Sequence, residues 1–251
     1  MHTDYEALAD RYDEDRAKWS FPRDDVIDEL LARSAWTSPV RALDLGCGTG
    51  RWLAAQQESF GNAPIQWLGV DPSSAMLVQA KAKRIRSLVR ARAEHIPLPE
   101  ASIDYIAASY AFHHFSDKER ALDEIGRVLT RHGVFRVNNI EPASAEEWWV
   151  YSFFPEAIAI DAARFWPASR LGEELLSRQF SVEIDLDTGP REILATEALA
   201  DAERRVVSQL ALLDDAAYAG GLARLRDFAA RPGATVTTTR SRLCLTATRT
   251  G

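Results

Sequence analysis

Apolar and polar positions alternate along the first 140 residues in the rhythms of strands and helices. Short apolar runs at 42–45, 65–70 and 133–137 predict buried strands, and another strand follows Asp104. Amphipathic stretches at 51–60 and 117–129 and a stretch that begins near Ser73 predict helices between these strands.

The flanking regions continue this pattern. Residues 5–16 have helical spacing, and residues 21–35 contain a helix whose buried stripe is Val26, Ile27, Leu30 and Leu31. Beyond residue 170 the sequence predicts a helix at 171–179, a strand at 180–186, a helical region at 192–231 broken at Gly220–Gly221, and a long strand at 235–249.

The first strand ends in three alternate glycines, Gly46, Gly48 and Gly50, preceded by Asp44. Glycine lacks a Cβ and tolerates positive φ, so a ligand can approach the backbone of such a turn closely. A dinucleotide fingerprint would place a glycine where Arg51 stands, which weakens a pyrophosphate interpretation.

Asp71 closes the second strand, about 20 residues beyond the glycine turn, where a carboxylate can accept hydrogen bonds from both hydroxyls of a ribose. The alternative is that Asp71 caps the helix that begins near Ser73.

The motif Asp-x-Gly-x-Gly-x-Gly resembles the first motif of class I methyltransferases that depend on S-adenosylmethionine (SAM). The segments 92–99 and 102–115 resemble the type 11 family, typified by the ubiquinone and menaquinone C-methyltransferases. That family's pattern reads G-D-A-E-x-L-P-F-x-D-x-S-F-D, then a strand and A-L-H-H. The resemblance covers about residues 40–140.

The resemblance implies an α/β fold: a Rossmann-like seven-stranded sheet of order 3-2-1-4-5-7-6 with strand 7 antiparallel, N-terminal cap helices, and helical insertions over the acceptor site. It implies one domain, 1–251, with a helical cap at 1–38, a SAM-binding core at 39–141, and acceptor-site insertions and closing strands at 142–251. The implied cofactor is SAM, with S-adenosylhomocysteine as product. The implied cofactor-binding residues are Asp44, Gly46, Cys47, Gly48, Gly50, Asp71, Pro72, Ala93, Glu94, Ser109, Tyr12 and Arg16.

One position departs from the family. Arg92 stands where an aspartate would accept a hydrogen bond from the adenine amino group, and a guanidinium has only donors. The adenine would then be held by the Ala93 amide and by apolar packing, and SAM affinity is expected to be weaker.

The leader contains a second match. The family's leader helix folds over the cofactor, with the tyrosine and arginine of its Y-D-x-x-R segment near the methionine carboxylate; Tyr12, Asp13 and Arg16 match that segment. The alternative is a solvated amphipathic helix.

Methyl transfer from a sulfonium is an in-line displacement, so the protein's chemical contribution is alignment and a base for the acceptor's proton. His113 and His114 at the end of the fourth strand are the candidates because imidazole titrates near neutrality. Adjacent residues on a strand point opposite ways, which favours His114 as the base and His113 as a packed residue. No residue set predicts a metal site.

Aromatic residues concentrate at 146–155 and 163–167. In this fold, segments after the fourth and fifth strands lie at the carboxyl edge of the sheet, so the cluster predicts a lid or acceptor pocket. A dimer interface or an ordinary core helix is the alternative.

Composition limits the kinds of molecule that the protein is expected to bind. The chain has 30 basic and 37 acidic residues, a net charge of −7, which argues against nucleic acid as the substrate and favours a small molecule. Two isolated cysteines exclude a disulfide framework, and no secretion leader or membrane span is recognisable, so a cytoplasmic monomer or homodimer is expected. A non-catalytic SAM-binding or S-adenosylhomocysteine-binding protein and an NAD(P)-dependent oxidoreductase are the rival functions, and the methylated atom, carbon, oxygen or nitrogen, is left open.

Overall fold

A computed structural model of the chain describes residues 5–10, 12–15, 20–34, 38–145 and 147–251. It divides into two compact units. Of the described residues, the sheet unit comprises those within 5–139, 169–185 and 244–251, and the helical unit comprises those within 140–168 and 186–243.

The sheet has seven strands in the order β3-β2-β1-β4-β5-β7-β6. Their bounds are Val40–Leu45 (β1), Ile65–Asp71 (β2), Leu88–Arg90 (β3), Ile103–Ser109 (β4), Leu129–Asn139 (β5), Phe180–Leu194 (β6) and Thr235–Arg249 (β7). β1 pairs in parallel with β2 and β4, β2 with β3, and β4 with β5. The predicted fold class and strand order are confirmed.

Two contacts fix the direction of β7. Arg136 of β5 donates a hydrogen bond to the sulfur of Cys244, and Arg249 donates to the carbonyl of Leu129. The two strands therefore run in opposite directions, as expected for the last strand.

Helices precede and connect these strands. They are Tyr5–Leu8 (α1), Tyr12–Asp15 (α2), Asp25–Arg33 (α3), Arg51–Phe60 (α4), Ser74–Ala82 (α5), Lys118–Val128 (α6), Trp149–Phe153 (α7), Ala157–Arg164 (α8), Ala168–Ser177 (α9), Ala195–Glu203 (α10) and Asp215–Ala229 (α11). Within the described residues no helix is long and apolar enough to cross a membrane.

Helix α3 packs on the sheet through its predicted stripe, since Val26, Ile27, Leu30 and Leu31 are all buried. Asp24 caps this helix by accepting from the Val26 amide, and its other oxygen accepts from the buried Tyr105 hydroxyl at 2.6 Å. The helix is thereby tied to the centre of β4.

The helical unit has its own apolar core, formed by residues of α7, α8, α10 and α11. Contrary to the sequence prediction, Gly220 and Gly221 do not break a helix but lie within α11. A Cβ on Gly221 would lie 2.2 Å from the Phe154 ring, so this glycine allows α11 to approach α7 closely.

Other boundaries also differ from the prediction. β6 runs to Leu194 rather than ending at residue 186, so the first residues of the predicted helical region at 192–231 belong to a strand. β4 already includes Asp104. The leader forms two short helices, α1 and α2, in its described part rather than one helix over 5–16.

Candidate cofactor and methyl-transfer site

The turn between β1 and α4 needs glycine at all three predicted positions. Gly46, Gly48 and Gly50 have φ values of +78°, +52° and +74°, a region that other residues rarely adopt. A Cβ on Gly46 would lie 2.6 Å from the Ala111 Cβ, and one on Gly50 would lie 2.2 Å from the Ile85 side chain. At Gly48 no atom of the described residues, apart from its neighbours in the chain, lies within 4 Å of such a Cβ, so the turn is open at this position.

Asp71 faces this turn. The Gly48 amide donates to one of its carboxylate oxygens at 2.8 Å, and the Ser73 amide donates to the other at 2.9 Å. The cap of α5 is Ser73, whose hydroxyl accepts from the Met76 amide, so Asp71 is not itself the helix cap. Each oxygen of Asp71 keeps a lone pair for another donor. Burial raises the pKa of Asp71, and the two amide hydrogen bonds oppose that rise.

Asp44 is a second buried carboxylate in the same place. It is 2% exposed, and burial together with the charge of Asp71 raises its pKa well above the usual value. Within the described residues no group donates a hydrogen bond to it. A positively charged group of a ligand would stabilise such a buried carboxylate. Beside it, burial raises the pKa of the Cys47 thiol, which stays protonated and acts as a small filler of the turn.

The end of β4 supplies a strained backbone. Tyr110 has a φ of +55°, and its amide donates to the Asn138 carbonyl of β5 at 2.7 Å. Positive φ is an outlier for a bulky residue and is found where surrounding structure fixes the backbone. The turn directs the chain to Ala111, against Gly46, and the Ser109 hydroxyl is buried with no hydrogen-bond partner among the described residues.

His113 and His114 do not lie on a strand end as the sequence suggested. β4 stops at Ser109, and the two residues belong to a 3-10 helix, Phe112–His114, so the alternation of strand side chains does not apply to them. Their ring centroids are 3.9 Å apart. His113 is buried, whereas His114 is half-buried and its Nε2 lies 2.5 Å from the hydroxyl of Tyr5.

The segment after β3 orders the loop that follows the histidines. Glu94 accepts hydrogen bonds from the Ser116 and Asp117 amides at 2.6 and 3.0 Å. Arg92 is exposed and donates to the Ser116 hydroxyl at 3.3 Å. The neighbouring Ala93 is buried, and Pro72, at the other predicted adenosine position, is exposed.

The leader makes contacts that sequence reasoning missed. The Glu6 carboxylate accepts from the Ser74 and Ala75 amides at the start of α5, at 2.8 and 3.0 Å, and these bonds lower its pKa. The Tyr5 hydroxyl meets His114. Nothing in the local sequence indicates either contact, because the partners are more than 60 residues away.

A second leader contact reaches the glycine turn. The Thr49 hydroxyl donates to Asp13 at 2.5 Å, and Lys83 bridges Asp13 and the Thr49 carbonyl. Tyr12 is half-buried, with its ring 6.1 Å from that of Tyr5. Arg16, the other predicted carboxylate-binding residue, lies outside the described residues.

These features fit S-adenosylmethionine. Asp71 offers acceptors for ribose hydroxyls, Gly48 leaves room for a ligand against the backbone, and Asp44 suits a positive charge. The Ser109 hydroxyl, which has no partner in the part of the chain that the structure describes, is a further polar group for a ligand. In the part of the chain that the structure describes, no cluster of three or more His, Cys, Asp or Glu residues suits a metal ion.

A sheet of this strand order, with a glycine turn after β1 and an acid after β2, defines the class I methyltransferase fold. A family model described as "Methyltransferase domain" matches residues 43–137, so this segment is similar to that family.

A curated relative is also similar to part of the chain. The ubiquinone/menaquinone biosynthesis C-methyltransferase UbiE of Campylobacter jejuni is 34% identical over 102 residues, 39% of this chain and 43% of that relative. The chain therefore matches less than half the length of this curated relative.

Solved structures share the fold over most of the chain. A protein assigned as a methyltransferase of an antibiotic biosynthesis pathway in Anabaena variabilis is 21% identical, with a TM-score of 0.69 over 90% of this chain and 97% of that one. Phospholethanolamine N-methyltransferase 2 of Haemonchus contortus, solved with phosphomonomethylethanolamine and S-adenosylhomocysteine, is 17% identical, with a TM-score of 0.57 over 98% of this chain and 58% of that one.

Proposed function

We propose that this protein transfers a methyl group from S-adenosylmethionine to a small organic acceptor. The observation that carries the proposal is the open glycine turn at Gly48 beside the Asp71 carboxylate, in a segment that is similar to the methyltransferase family. S-adenosylmethionine, when bound, supplies a methyl group activated by its sulfonium charge.

The glycine turn and the two buried acids would hold the cofactor. Asp71 would accept hydrogen bonds from the ribose hydroxyls with the lone pairs that the Gly48 and Ser73 amides leave unused. Asp44 would face the positive charge of the methionine part of the cofactor. A buried carboxylate without a hydrogen-bond donor is unfavourable by itself, and a nearby positive charge would stabilise it. The peptide groups of Gly46, Cys47, Gly48 and Gly50 would line the same space.

The remaining cofactor-binding residues keep the roles inferred from the family. Ala93, with Pro72 and Glu94 nearby, would border the adenosine, and Ser109 would add a hydroxyl at the end of β4. Tyr12 and Arg16 would bind the methionine carboxylate.

His114 is the proposed general base, and Tyr5 is its positioning residue. Nε2 of His114 meets the Tyr5 hydroxyl at 2.5 Å, and the two rings stand edge to face with centroids 5.0 Å apart. A hydrogen bond to one ring nitrogen fixes the tautomer and the orientation of an imidazole. Tyr5 also belongs to the leader that Glu6 anchors on α5, so the base would be oriented only when the leader is in place.

The acceptor is proposed only as a class. The UbiE relative acts in ubiquinone and menaquinone biosynthesis by its name, which makes a quinol-type ring one candidate for C-methylation. O- and N-methylation are equally compatible with a base and an aligned methyl donor. That the aromatic segments 146–155 and 163–167 cover the acceptor stays a prediction.

A mass-spectrometric screen for methylated products, with SAM and a panel of quinols, phenols and amines, tests the proposal. With an acceptor in hand, His114→Gln should abolish turnover and leave S-adenosylhomocysteine affinity unchanged. Tyr5→Phe should lower kcat by roughly 10- to 100-fold with little change in the KM for SAM. Full activity of His114→Gln would remove the base from the proposal.

A non-catalytic SAM-binding or S-adenosylhomocysteine-binding protein is the second candidate. Arg92 favours this alternative, because it replaces the acid expected to bind adenine and instead donates a hydrogen bond to the Ser116 hydroxyl. Binding of both nucleotides with no methylated product from any acceptor would support this alternative. An NAD(P)-dependent oxidoreductase would instead bind NADH in preference to both.

A further inference from the structure

The helical unit contains a buried polar cluster, which we call the Arg164 cluster: Tyr151, Asp161, Arg164, Ser208 and Gln209. The side chains of Asp161 and Arg164 are 1% and 10% exposed, and Gln209 is 2% exposed. The cluster adjoins the apolar core of the unit, to which Tyr151 also belongs.

The single carboxylate of the cluster is already engaged through both oxygens. The Tyr151 hydroxyl donates to one oxygen of Asp161 at 2.9 Å, and Arg164 Nη2 donates to the other at 3.2 Å. The same Nη2 also donates to the Ser208 hydroxyl at 3.0 Å. All the described hydrogen bonds of the guanidinium therefore run through one nitrogen.

The cluster has more buried donors than acceptors. Arg164 Nε, Arg164 Nη1 and Gln209 Nε2 are each buried without a hydrogen-bond partner among the described residues. Unsatisfied buried donors are rare in folded proteins, and those on a charged group are the most costly. Donors of this kind can be satisfied by an acceptor atom from outside the chain, supplied by a water or by a ligand.

We propose that the Arg164 cluster is a binding site for an anionic oxygen, the carboxylate or phosphate group of a small organic molecule. Arg164 supplies the charge and Nε and Nη1 as donors, and Gln209 supplies a neutral donor. A charged hydrogen bond to an oxyanion is stronger than one to a neutral acceptor, so an anion is favoured over an amide or alcohol. The apolar side chains around the cluster favour an apolar body on the ligand. This site is independent of the proposed methyl transfer.

Titration calorimetry on the full chain, with excess S-adenosylhomocysteine to occupy any cofactor site, tests this proposal. The probes are benzoate, phenyl phosphate and inorganic phosphate, with benzamide as the neutral control. We expect benzoate or phenyl phosphate to bind at least about tenfold more tightly than benzamide. Binding of inorganic phosphate as tight as that of phenyl phosphate would identify a free-anion site, and weaker binding would identify an organic acid or ester.

Gln209→Leu is the diagnostic variant because it removes an unpartnered donor without exposing a buried charge. It should weaken binding of the anionic probe by about fivefold or more and raise the melting temperature of the ligand-free protein. Gln56→Leu is the matched control: Gln56 is also buried, but its amide is paired with the Asp24 amide and the Pro22 carbonyl. That variant should lower the melting temperature and leave probe binding unchanged.

Three results would overturn the proposal. Equal binding of benzamide and benzoate would remove the preference for an anion. Unchanged probe affinity in Gln209→Leu would place any binding elsewhere. A lower melting temperature for ligand-free Gln209→Leu would show that the amide is already satisfied, as by a buried water, and that no ligand is needed.

Discussion

The substitution Gly48→Ala tests why the turn has glycine at this position. Glycine there permits the backbone conformation, and it also leaves space for a ligand. The φ of +52° makes alanine unfavourable by about 1–2 kcal/mol. Beyond its chain neighbours, no atom in the described part of the chain lies within 4 Å of the added Cβ, so these residues add no steric cost. For a chain of this size each kcal/mol lowers Tm by roughly 2–4 °C.

Gly61 provides the matched control. It ends α4 with a φ of +55°, and a Cβ there also meets no atom of the described residues within 4 Å, its chain neighbours aside. Gly61→Ala should therefore lose at least as much stability as Gly48→Ala, but at a position away from the proposed cofactor space.

The assay is calorimetric titration of S-adenosylhomocysteine into each variant, with Tm measured in parallel. The new methyl of Gly48→Ala would occupy the space assigned to the ligand, so affinity should fall at least about tenfold, which corresponds to 1.4 kcal/mol. Gly61→Ala should bind within about twofold of the parent protein. Equal affinity of Gly48→Ala and the parent protein would refute the placement of the ligand against Gly48.

Three further predictions concern packing, buried charge and the adenine position. Gly221→Ala should destabilise the protein by about 1–3 kcal/mol because its Cβ meets the Phe154 ring at 2.2 Å. Gly220→Ala should instead stabilise it by about 0.5–1 kcal/mol. Urea unfolding measures both free energies, and equal effects of the two variants would contradict the packing argument. Asp44→Asn should raise the Tm of the ligand-free protein at pH 7. Burial raises the pKa of Asp44, so the protein loses stability as pH rises through that pKa and the carboxyl group ionises. A lower Tm would mean that the carboxylate already has hydrogen-bond partners. Arg92→Asp should tighten S-adenosylhomocysteine binding by supplying the missing acceptor, and an unchanged dissociation constant would remove this explanation.

The sequence was sufficient for the parts of the site that depend on local chemistry. The glycines after β1 need positive φ whatever the rest of the fold, and Asp71 follows β2 in chain order. Both facts can be read from spacing alone. Alternating apolar runs likewise located the central strands and the stripe of α3.

Long-range packing determined what the sequence did not predict. The left-handed Tyr110 ends β4 early and moves the histidine pair onto a 3-10 helix, which no local pattern indicates. Gly221 was interpreted as a helix break, although its real role is to admit the Phe154 ring.

The leader contacts depend on the same kind of long-range packing. Glu6 gains its role only because α1 lies against the start of α5, far away in the sequence. Tyr5 reaches His114 for the same reason.

Binding of S-adenosylmethionine at Asp71 is tested most directly by calorimetric titration of S-adenosylhomocysteine and NADH into the parent protein, Asp71→Asn and Asp104→Asn. Asp104 is a suitable control because its carboxylate is engaged by Arg41, away from the glycine turn. We expect the parent protein to bind S-adenosylhomocysteine in preference to NADH. Asp71→Asn should bind S-adenosylhomocysteine about 10- to 100-fold more weakly, and Asp104→Asn should bind it with unchanged affinity. No binding, a preference for NADH, or an affinity that does not depend on Asp71 would contradict this expectation.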